Sequence, residues 1–321
     1  MRRALIGLLR AAGVLLPFGW IYYQIDVDQL RQALAMTPGW VLWPSLVLPL
    51  LPMALQGMRW WILLRTGNSR LSLWKTLEYH FAAAYYGLVL PGASAQEVVR
   101  GFMVSRSVDY PIVWGATWIS KIQGLLGWMI VGCFGLIQMD SAELVEIYDL
   151  ESVMLGGALF LTIVLFASFS KKITRPFRLL LSPLLPKKAI EIISSIRDAV
   201  YLFRSQYWAL LVSMLVTVCQ QYVLVLGTCI VLFAISGQFI FWPITVILAL
   251  IEIIIVVLPL TPGGIGIREG LMAWMFSYVG VGPEEMSIYI VLSYIGNGSR
   301  LAGGIPIALG RIGRPLKLGD G

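Results

Sequence analysis

Residues 259–270 read PLTPGGIGIREG, and in this stretch a long apolar run breaks at a Pro-Gly corner that an Arg-Glu pair follows directly. The first half of the chain repeats the arrangement, because Leu90-Pro91-Gly92 ends an apolar run and Glu97 and Arg100 lie behind it. In hydrocarbon every backbone polar group needs an internal partner, so a helix can break only where protein or a wet cavity covers the break. Two such breaks, one in each half of a membrane protein, indicate a binding site at membrane depth.

The composition places the chain among membrane proteins. It is 58% hydrophobic and 13% charged, with a mean hydropathy of +0.82, whereas a soluble protein carries about 25% charged residues. No polar block is long enough to fold as a separate soluble domain, so residues 1–321 are predicted to form a single transmembrane domain of all-α, polytopic fold. The three cysteines lie inside apolar runs without metal-ligand spacing, so no metal and no cofactor is expected.

Apolar runs of about 20 residues each span a bilayer, and here they predict about eight transmembrane segments. These runs cover about residues 4–23, 38–62, 112–137, 152–170, 207–235, 240–260, 267–281 and 285–310.

Three elements depart from a plain transmembrane helix. Phe81 to Leu90 is only about ten residues, too short to cross the bilayer, so a re-entrant hairpin is predicted over about 76–106. A broken helix is predicted over about 259–281. Segment 186–204 places isoleucines between charged residues, which predicts an amphipathic helix on the cytoplasmic membrane surface.

The distribution of basic residues predicts the orientation. Lys and Arg concentrate on the cytoplasmic side of membrane proteins. If the N-terminus is cytoplasmic, most of the 24 basic residues, Arg59 among them, fall on that side and the opposite loops are acidic. We therefore expect a multi-pass protein of the bacterial inner (plasma) membrane with both termini in the cytoplasm. The net charge of +7 then reflects orientation and attraction to the anionic leaflet, and no nucleic-acid partner is expected.

Seven ionisable residues lie within or at the mouth of apolar segments and are the candidate substrate-binding residues. They are Glu97, Arg100, Lys121, Glu252, Arg268, Glu269 and Arg300. If all were central and unpaired, their insertion would cost roughly 20 kcal/mol, more than the whole stability of a typical protein. They must therefore pair with one another or line water. Four cations against three carboxylates suit one phosphate diester, and the alternative is an ion-pair lattice that only holds broken helices together.

The residues of the two corners, Pro91, Gly92, Pro262, Gly263, Gly264 and Gly266, complete the candidate site. Glycines permit the sharp corner, and the helix that starts near Gly266 directs free N–H groups and a partial positive charge into the same region. The glycine run lacks the Lys-Ser pair of a nucleotide-binding loop. His80, the single histidine, precedes the first corner, and an interfacial side chain is the simpler interpretation of it, with proton relay as the alternative.

The two motifs resemble the paired signatures of the lysylphosphatidylglycerol synthase transmembrane family, also called the flippase-like domain family. The first is Leu90-Pro91-Gly92 with Glu97-Val98-Val99-Arg100, and the more specific second is the string from Pro262 to Gly270. Arg300 followed by Pro306 is similar to the closing pattern of that family. The resemblance covers nearly the whole chain, and the family includes the membrane half of the multiple peptide resistance factor.

The resemblance implies a lipid translocase, or flippase, that carries a phospholipid with an anionic or zwitterionic headgroup, in which Arg100, Arg268 and Arg300 would hold the phosphate. A transporter is favoured over an enzyme, and no catalytic residue is assigned. Two alternatives stay open: a membrane-embedded lipid-modifying transferase, and a non-catalytic membrane subunit of a separate lipid synthase. A homo-oligomer is also open.

Overall fold

The described part of the chain is mostly helical. The computed structural model describes residues 38–67, 69–87, 95–139, 150–170, 187–257 and 267–299, together with Arg31, Ala35 and Gly304. Its helices are α1 (Leu42–Val47), α2 (Leu50–Thr66), α3 (Leu73–Gly87), α4 (Ala95–Val104), α5 (Tyr110–Ile137), α6 (Leu150–Ser168), α7 (Lys187–Leu202), α8 (Tyr207–Ser236), α9 (Phe241–Val257), α10 (Ile267–Ser277) and α11 (Pro283–Gly298). No strand occurs within these ranges, which confirms the all-α prediction.

Three helical stretches in the described residues are long and apolar enough to cross a membrane. They are Gly39–Thr66, Tyr110–Ile137 and Tyr207–Ser236, and shorter apolar helices cover Met154–Ser168 and Phe241–Val256. All five coincide with predicted segments, so the polytopic membrane fold is confirmed, whereas the number of spans stays a prediction. The predicted first segment, 4–23, lies outside the described residues.

Helices α3 and α4 form an antiparallel pair. Gly87, at the end of α3, lies against Gln96 at the start of α4. His80, two turns before the end of α3, contacts Arg100, one turn after the start of α4. At 1.5 Å per residue the two helices are about 22 and 15 Å long, and both fall short of the ~30 Å hydrocarbon core. The re-entrant hairpin over about 76–106 stays a prediction, and its corner, with Pro91 and Gly92, lies outside the described residues.

The three long stretches interlock with the short helices around two apolar cores. One core joins α2, α3, α4, α5 and α7, and the other joins α5, α6, α8, α9, α10 and α11. The segment predicted to be amphipathic is helical as α7, and it buries Ala199 and Val200 against α5. Helix α5 contributes to both cores, so it positions the two halves of the molecule relative to each other.

Helix α5 approaches α8 closely at Gly127. A Cβ atom added there would lie 2.7 Å from both Oε1 of Gln221 and Cγ2 of Thr217, closer than side-chain atoms pack. The absent side chain therefore allows α8 to present its polar groups directly to the α5 backbone, where Gln221 donates to the carbonyl of Gly124 at 2.8 Å.

Candidate functional site

Arg100, one of the seven candidate residues, is almost fully buried between three helices. Its side chain is 1% exposed, and the guanidinium carbon lies 4.1 Å from the ring centroid of Trp60 on α2. Its Nη1 donates a hydrogen bond to Nδ1 of His80 on α3, at 3.0 Å. Nε of Arg100 has no hydrogen-bond partner in the described chain. The guanidinium is thus held by a π face and a neutral ring rather than by a directly bonded carboxylate.

His80 is fully buried, which contradicts the interfacial interpretation of this residue. Since an arginine can only donate, the contact with Arg100 makes Nδ1 of His80 an acceptor and leaves the ring proton on Nε2. Nε2 lies 3.2 Å from the side-chain amide of Gln96, where it can donate if the amide oxygen faces it. His80 is therefore a neutral ring that ties α3 to two successive turns of α4.

Glu97 forms an ion pair across the α4–α5 interface. Its Oε1 accepts from Nζ of Lys121 at 3.2 Å, and its carboxylate also attracts Arg59 and Arg100. Its second oxygen, Oε2, is buried without a hydrogen-bond partner in the described chain. One carboxylate thus serves three cations, and the cluster of Arg59, Arg100, Lys121 and Glu97 carries two surplus positive charges.

Arg59 is the member of this cluster that sequence analysis missed. The positive-inside pattern placed Arg59 at the cytoplasmic boundary, but α2 continues to Thr66 and the side chain is only 4% exposed. Nη1 of Arg59 donates to Oγ1 of Thr217 on α8 at 3.1 Å, and Nε has no hydrogen-bond partner in the described chain. Gly124 of α5 lies beside the guanidinium, since a Cβ added there would be in ordinary van der Waals contact with Nη1 of Arg59, at 3.5 Å.

The second motif forms a separate group between α9, α10 and α11. Nη1 of Arg268 lies 2.5 Å from Oε1 of Glu252, and both side chains are mostly buried. Glu269 interacts with Arg268 and accepts a hydrogen bond from Tyr294. Glu252, Arg268 and Glu269 together carry one surplus negative charge, opposite in sign to the surplus of the first cluster.

A cavity of about 250 Å³ lies beside this second group. Its polar lining includes Arg268, Glu269 and Tyr294 on one side, with Gln56 and Gln220 on the other. The remaining wall is largely apolar, with Pro44, Leu48, Pro49 and Pro52 of the α1–α2 stretch and Val223, Leu224, Leu248 and Met272. Gly87 also lines it, so the cavity extends from the second motif to the end of the first hairpin helix.

A row of polar residues on α8 runs between the two groups. Ser213 donates to Oε1 of Gln123 at 3.0 Å, Thr217 accepts from Arg59, and Thr228 lies 3.1 Å from the hydroxyl of Tyr289. Oε1 of Gln220, which lines the cavity, is buried without a hydrogen-bond partner in the described chain. The available sequence signal for this row was the spacing of three to four residues from position 213 to 217 and from 217 to 220 and 221.

The structure brings six of the seven candidate residues together in two groups. Glu97, Arg100 and Lys121 meet where α4 packs against α5, and Glu252, Arg268 and Glu269 meet at the second motif. Of these six, Arg268 and Glu269 line the described cavity. The seventh, Arg300, lies outside the described residues, as do the corner residues Pro91, Gly92, Pro262, Gly263, Gly264 and Gly266.

Comparison with known families gives a match over most of the chain. A family model described as lysylphosphatidylglycerol synthase TM region matches residues 4–295, a range that includes both motifs. Comparison with curated proteins and with solved structures found no match.

Proposed function

Because the chain belongs to the lysylphosphatidylglycerol synthase TM region family, whose members are membrane proteins that handle lipids or their headgroups, we propose that it is a lipid translocase. It moves a phospholipid with an anionic or zwitterionic headgroup across the bacterial inner membrane. Both termini are cytoplasmic, and about eight segments, the re-entrant hairpin and the broken helix at 259–281 form one domain.

The observation that carries this proposal is the cavity that Arg268 and Glu269 line together. At about 250 Å³ it is close to the lower limit of pockets for small ligands, which is about 300 Å³, so it fits a headgroup and leaves the acyl chains in the surrounding lipid. The apolar wall of the cavity matches the acyl-chain side of a phospholipid, and its charged end matches the headgroup.

The charges at the polar end suit a phosphodiester with a polar substituent. Arg268 has a planar fork that binds phosphate oxygens in two places, and its partner Glu252 keeps it charged and oriented. Glu269 and the free oxygen of Gln220 are acceptors for hydroxyl or amino groups of the headgroup. At the other end of the polar row of α8, the buried Arg59 and Arg100 and their neighbour Lys121 form a cationic cluster, with Arg300 as a further candidate.

A polar path lowers the barrier that makes spontaneous flipping slow. A charged group at the bilayer centre costs at least about 3 kcal/mol on insertion scales, and a headgroup that exchanges water for arginine and amide groups avoids much of that cost. Translocation needs no new covalent bond, which separates this proposal from a transferase.

The test is lipid exchange by the purified protein. We expect reconstituted wild type to speed the access of an impermeant quencher to a fluorescent anionic phospholipid in the inner leaflet. Arg268→Lys keeps the charge but loses the bidentate grip, so exchange should fall about tenfold or more. Arg65→Lys is the matched control, because Arg65 is exposed at the end of α2 and stacks on Trp61. A wild type that matches empty liposomes for every headgroup tested, or a new lipid product, contradicts the translocase.

A further inference from the structure

The charge balance around His80 has a consequence for proton binding. In the structure the ring is neutral, and the cations Arg59, Arg100 and Lys121 outnumber Glu97 by two. Two buried donor atoms of this cluster, Nε of Arg59 and Nε of Arg100, have no hydrogen-bond partner in the described chain. Buried cations with spare donors favour an anion, and a phosphate diester supplies one negative charge and several acceptor oxygens.

A proton on His80 is incompatible with the bond that now holds Arg100. Protonation would place an N–H on Nδ1, where Nη1 of Arg100 already donates. Two donors would then face each other, and a fourth cation would join the cluster. The Arg100–His80 hydrogen bond and a protonated His80 therefore exclude each other.

An incoming phosphate removes both obstacles to protonation of His80, the two donors that would face each other and the additional positive charge. One phosphate diester lowers the surplus charge of the cluster from two to one, and one proton on His80 restores it to two. Arg100 can turn its guanidinium from the ring to the phosphate oxygens, while the imidazolium N–H finds an acceptor in the phosphate or in the unbonded Oε2 of Glu97. The cluster thus carries the same net charge in two states. In one state the ring is neutral and no ligand is bound, and in the other a phosphate is bound and the ring is protonated.

We propose that His80 is a proton-binding site that takes up one proton from water for each phosphate-bearing headgroup that enters the Arg59–Arg100 cluster. This rests on the proposed translocase function and adds an energy source to it, because a proton bound on one side and released on the other couples lipid movement to the proton gradient.

The groups that face His80 come from its own helix and from its packing partners. Gln96 and Arg100 of α4 contact the ring directly. Glu97 of α4 and Arg59 and Trp60 of α2 act through Arg100, and Lys121 of α5 acts through Glu97. On α3 itself the nearest charges, Lys75 and Glu78, pair with each other at 2.6 Å and cancel. The described charged residues around His80 are present with or without a ligand. The arrival of a ligand anion would therefore change the electrostatic field at His80 the most.

The single histidine makes the test direct. We would label the protein with ¹⁵N-histidine, purify it through a tag that contains no histidine, and record the two ring nitrogens by NMR over pH 5–8. In a maltoside detergent that contains no phospholipid we expect the neutral Nε2–H form at pH 7.5. In anionic phosphatidylglycerol the midpoint of protonation should move to higher pH by about two pH units, as expected for a new anion about 6 Å from the ring at an effective dielectric constant of about 20.

An exposed histidine provides the matched control, since anionic lipid also raises the local proton concentration at any surface site. Arg65→His in a His80→Gln background places one histidine at the exposed end of α2. If the two midpoints move equally, or if His80 stays neutral to pH 5 both with and without phosphatidylglycerol, the proposal is wrong. Glutamine at position 80 can still accept from Arg100, so His80→Gln should fold and exchange lipid at a rate that no longer depends on pH.

The two proposals can fail separately. Lipid exchange without a specific response of His80 would overturn the proton site and leave the translocase standing. No exchange for any headgroup, with or without a proton gradient, would overturn the translocase and with it the coupling, even if His80 titrates.

Discussion

Removing the Arg59 guanidinium should separate a binding cluster from an ion-pair lattice, and Arg59→Met is the decisive change. In a lattice that holds helices together, loss of one buried partner costs about 3–5 kcal/mol, because the remaining charge is left uncompensated. In the cluster described above, Arg59 is one of three cations around a single carboxylate that keeps Lys121 as its partner. Its removal leaves no carboxylate unpaired.

The expected magnitude follows from the contacts of Arg59. The change loses one hydrogen bond between a charged group and Thr217, worth about 1.5–3 kcal/mol, and some attraction to Glu97. It recovers the desolvation cost of a buried guanidinium, which is several kcal/mol, and relieves the repulsion with Arg100. Thr217 still donates to the carbonyl of Ser213 at 2.7 Å. We expect stability within about 1 kcal/mol of wild type, together with a loss of lipid exchange.

Thermal unfolding in one detergent measures this directly. Glu97→Gln is the informative comparison, because it strands all three cations and should lower the melting temperature by several degrees, as a loss of about 3–5 kcal/mol implies. Arg65→Met removes an exposed arginine from the same helix and should change stability by no more than about 0.5 kcal/mol. If Arg59→Met unfolds as easily as Glu97→Gln, the cluster is a structural lattice and the reasoning fails.

Three further changes test other parts of the structure. Gly127→Ala should destabilise by about 1–3 kcal/mol through overpacking against Gln221 and Thr217, whereas Gly156→Ala, with nothing within 4 Å of the added Cβ, should be neutral or stabilising by up to about 1 kcal/mol in the same unfolding assay. Tyr294→Phe removes a hydrogen-bond donor to Glu269 and should slow lipid exchange severalfold without changing the fold, and an unchanged rate would remove Tyr294 from the site. On a cysteine-free background, a cysteine at position 146 should label from outside intact cells and one at position 188 should not, and the reverse result would invert the predicted orientation.

The helices could be predicted well from the sequence because the local residue types, the length of an apolar run and the position of a proline, set where each helix begins and ends. Hydrophobic length sets α5 and α8, and the short run before Pro91 limits the first arm of the hairpin. The need for buried charges to pair was also predictable, since an unpaired charge in hydrocarbon is too costly. The choice of partner was not predictable, because it depends on which helices pack side by side. Glu97 meets Lys121 across 24 positions, and Glu252 meets Arg268 across 16.

Arg59 and His80 illustrate why the remaining part of the site escaped sequence analysis. An arginine near the end of an apolar run is usually cytoplasmic, and only the continuation of α2 by a further two turns places Arg59 inside the bundle. For His80, burial comes from Gly57 of α2, where a Cβ would lie 3.3 Å from the imidazole Cγ. Both outcomes depend on the depth at which neighbouring helices meet, which local patterns do not encode.

The prolines of the α1–α2 stretch give the cavity wall a mechanical hinge. Pro49 and Pro52 have no N–H, so the i to i−4 hydrogen bonds to the carbonyls of Ser45 and Leu48 are absent, and the carbonyl of Leu48 accepts from the N–H of Leu51 at 3.3 Å instead. Bending at this point therefore breaks no i to i−4 hydrogen bond at these two positions. Below the hinge, the carbonyl of Ser45 lies against Gly296 of α11, where a Cβ would sit only 2.8 Å away. Helix α1 therefore depends on its packing against Gly296 for its position in the cavity wall, and a tilt at Pro49 that lifted it from Gly296 would enlarge the cavity.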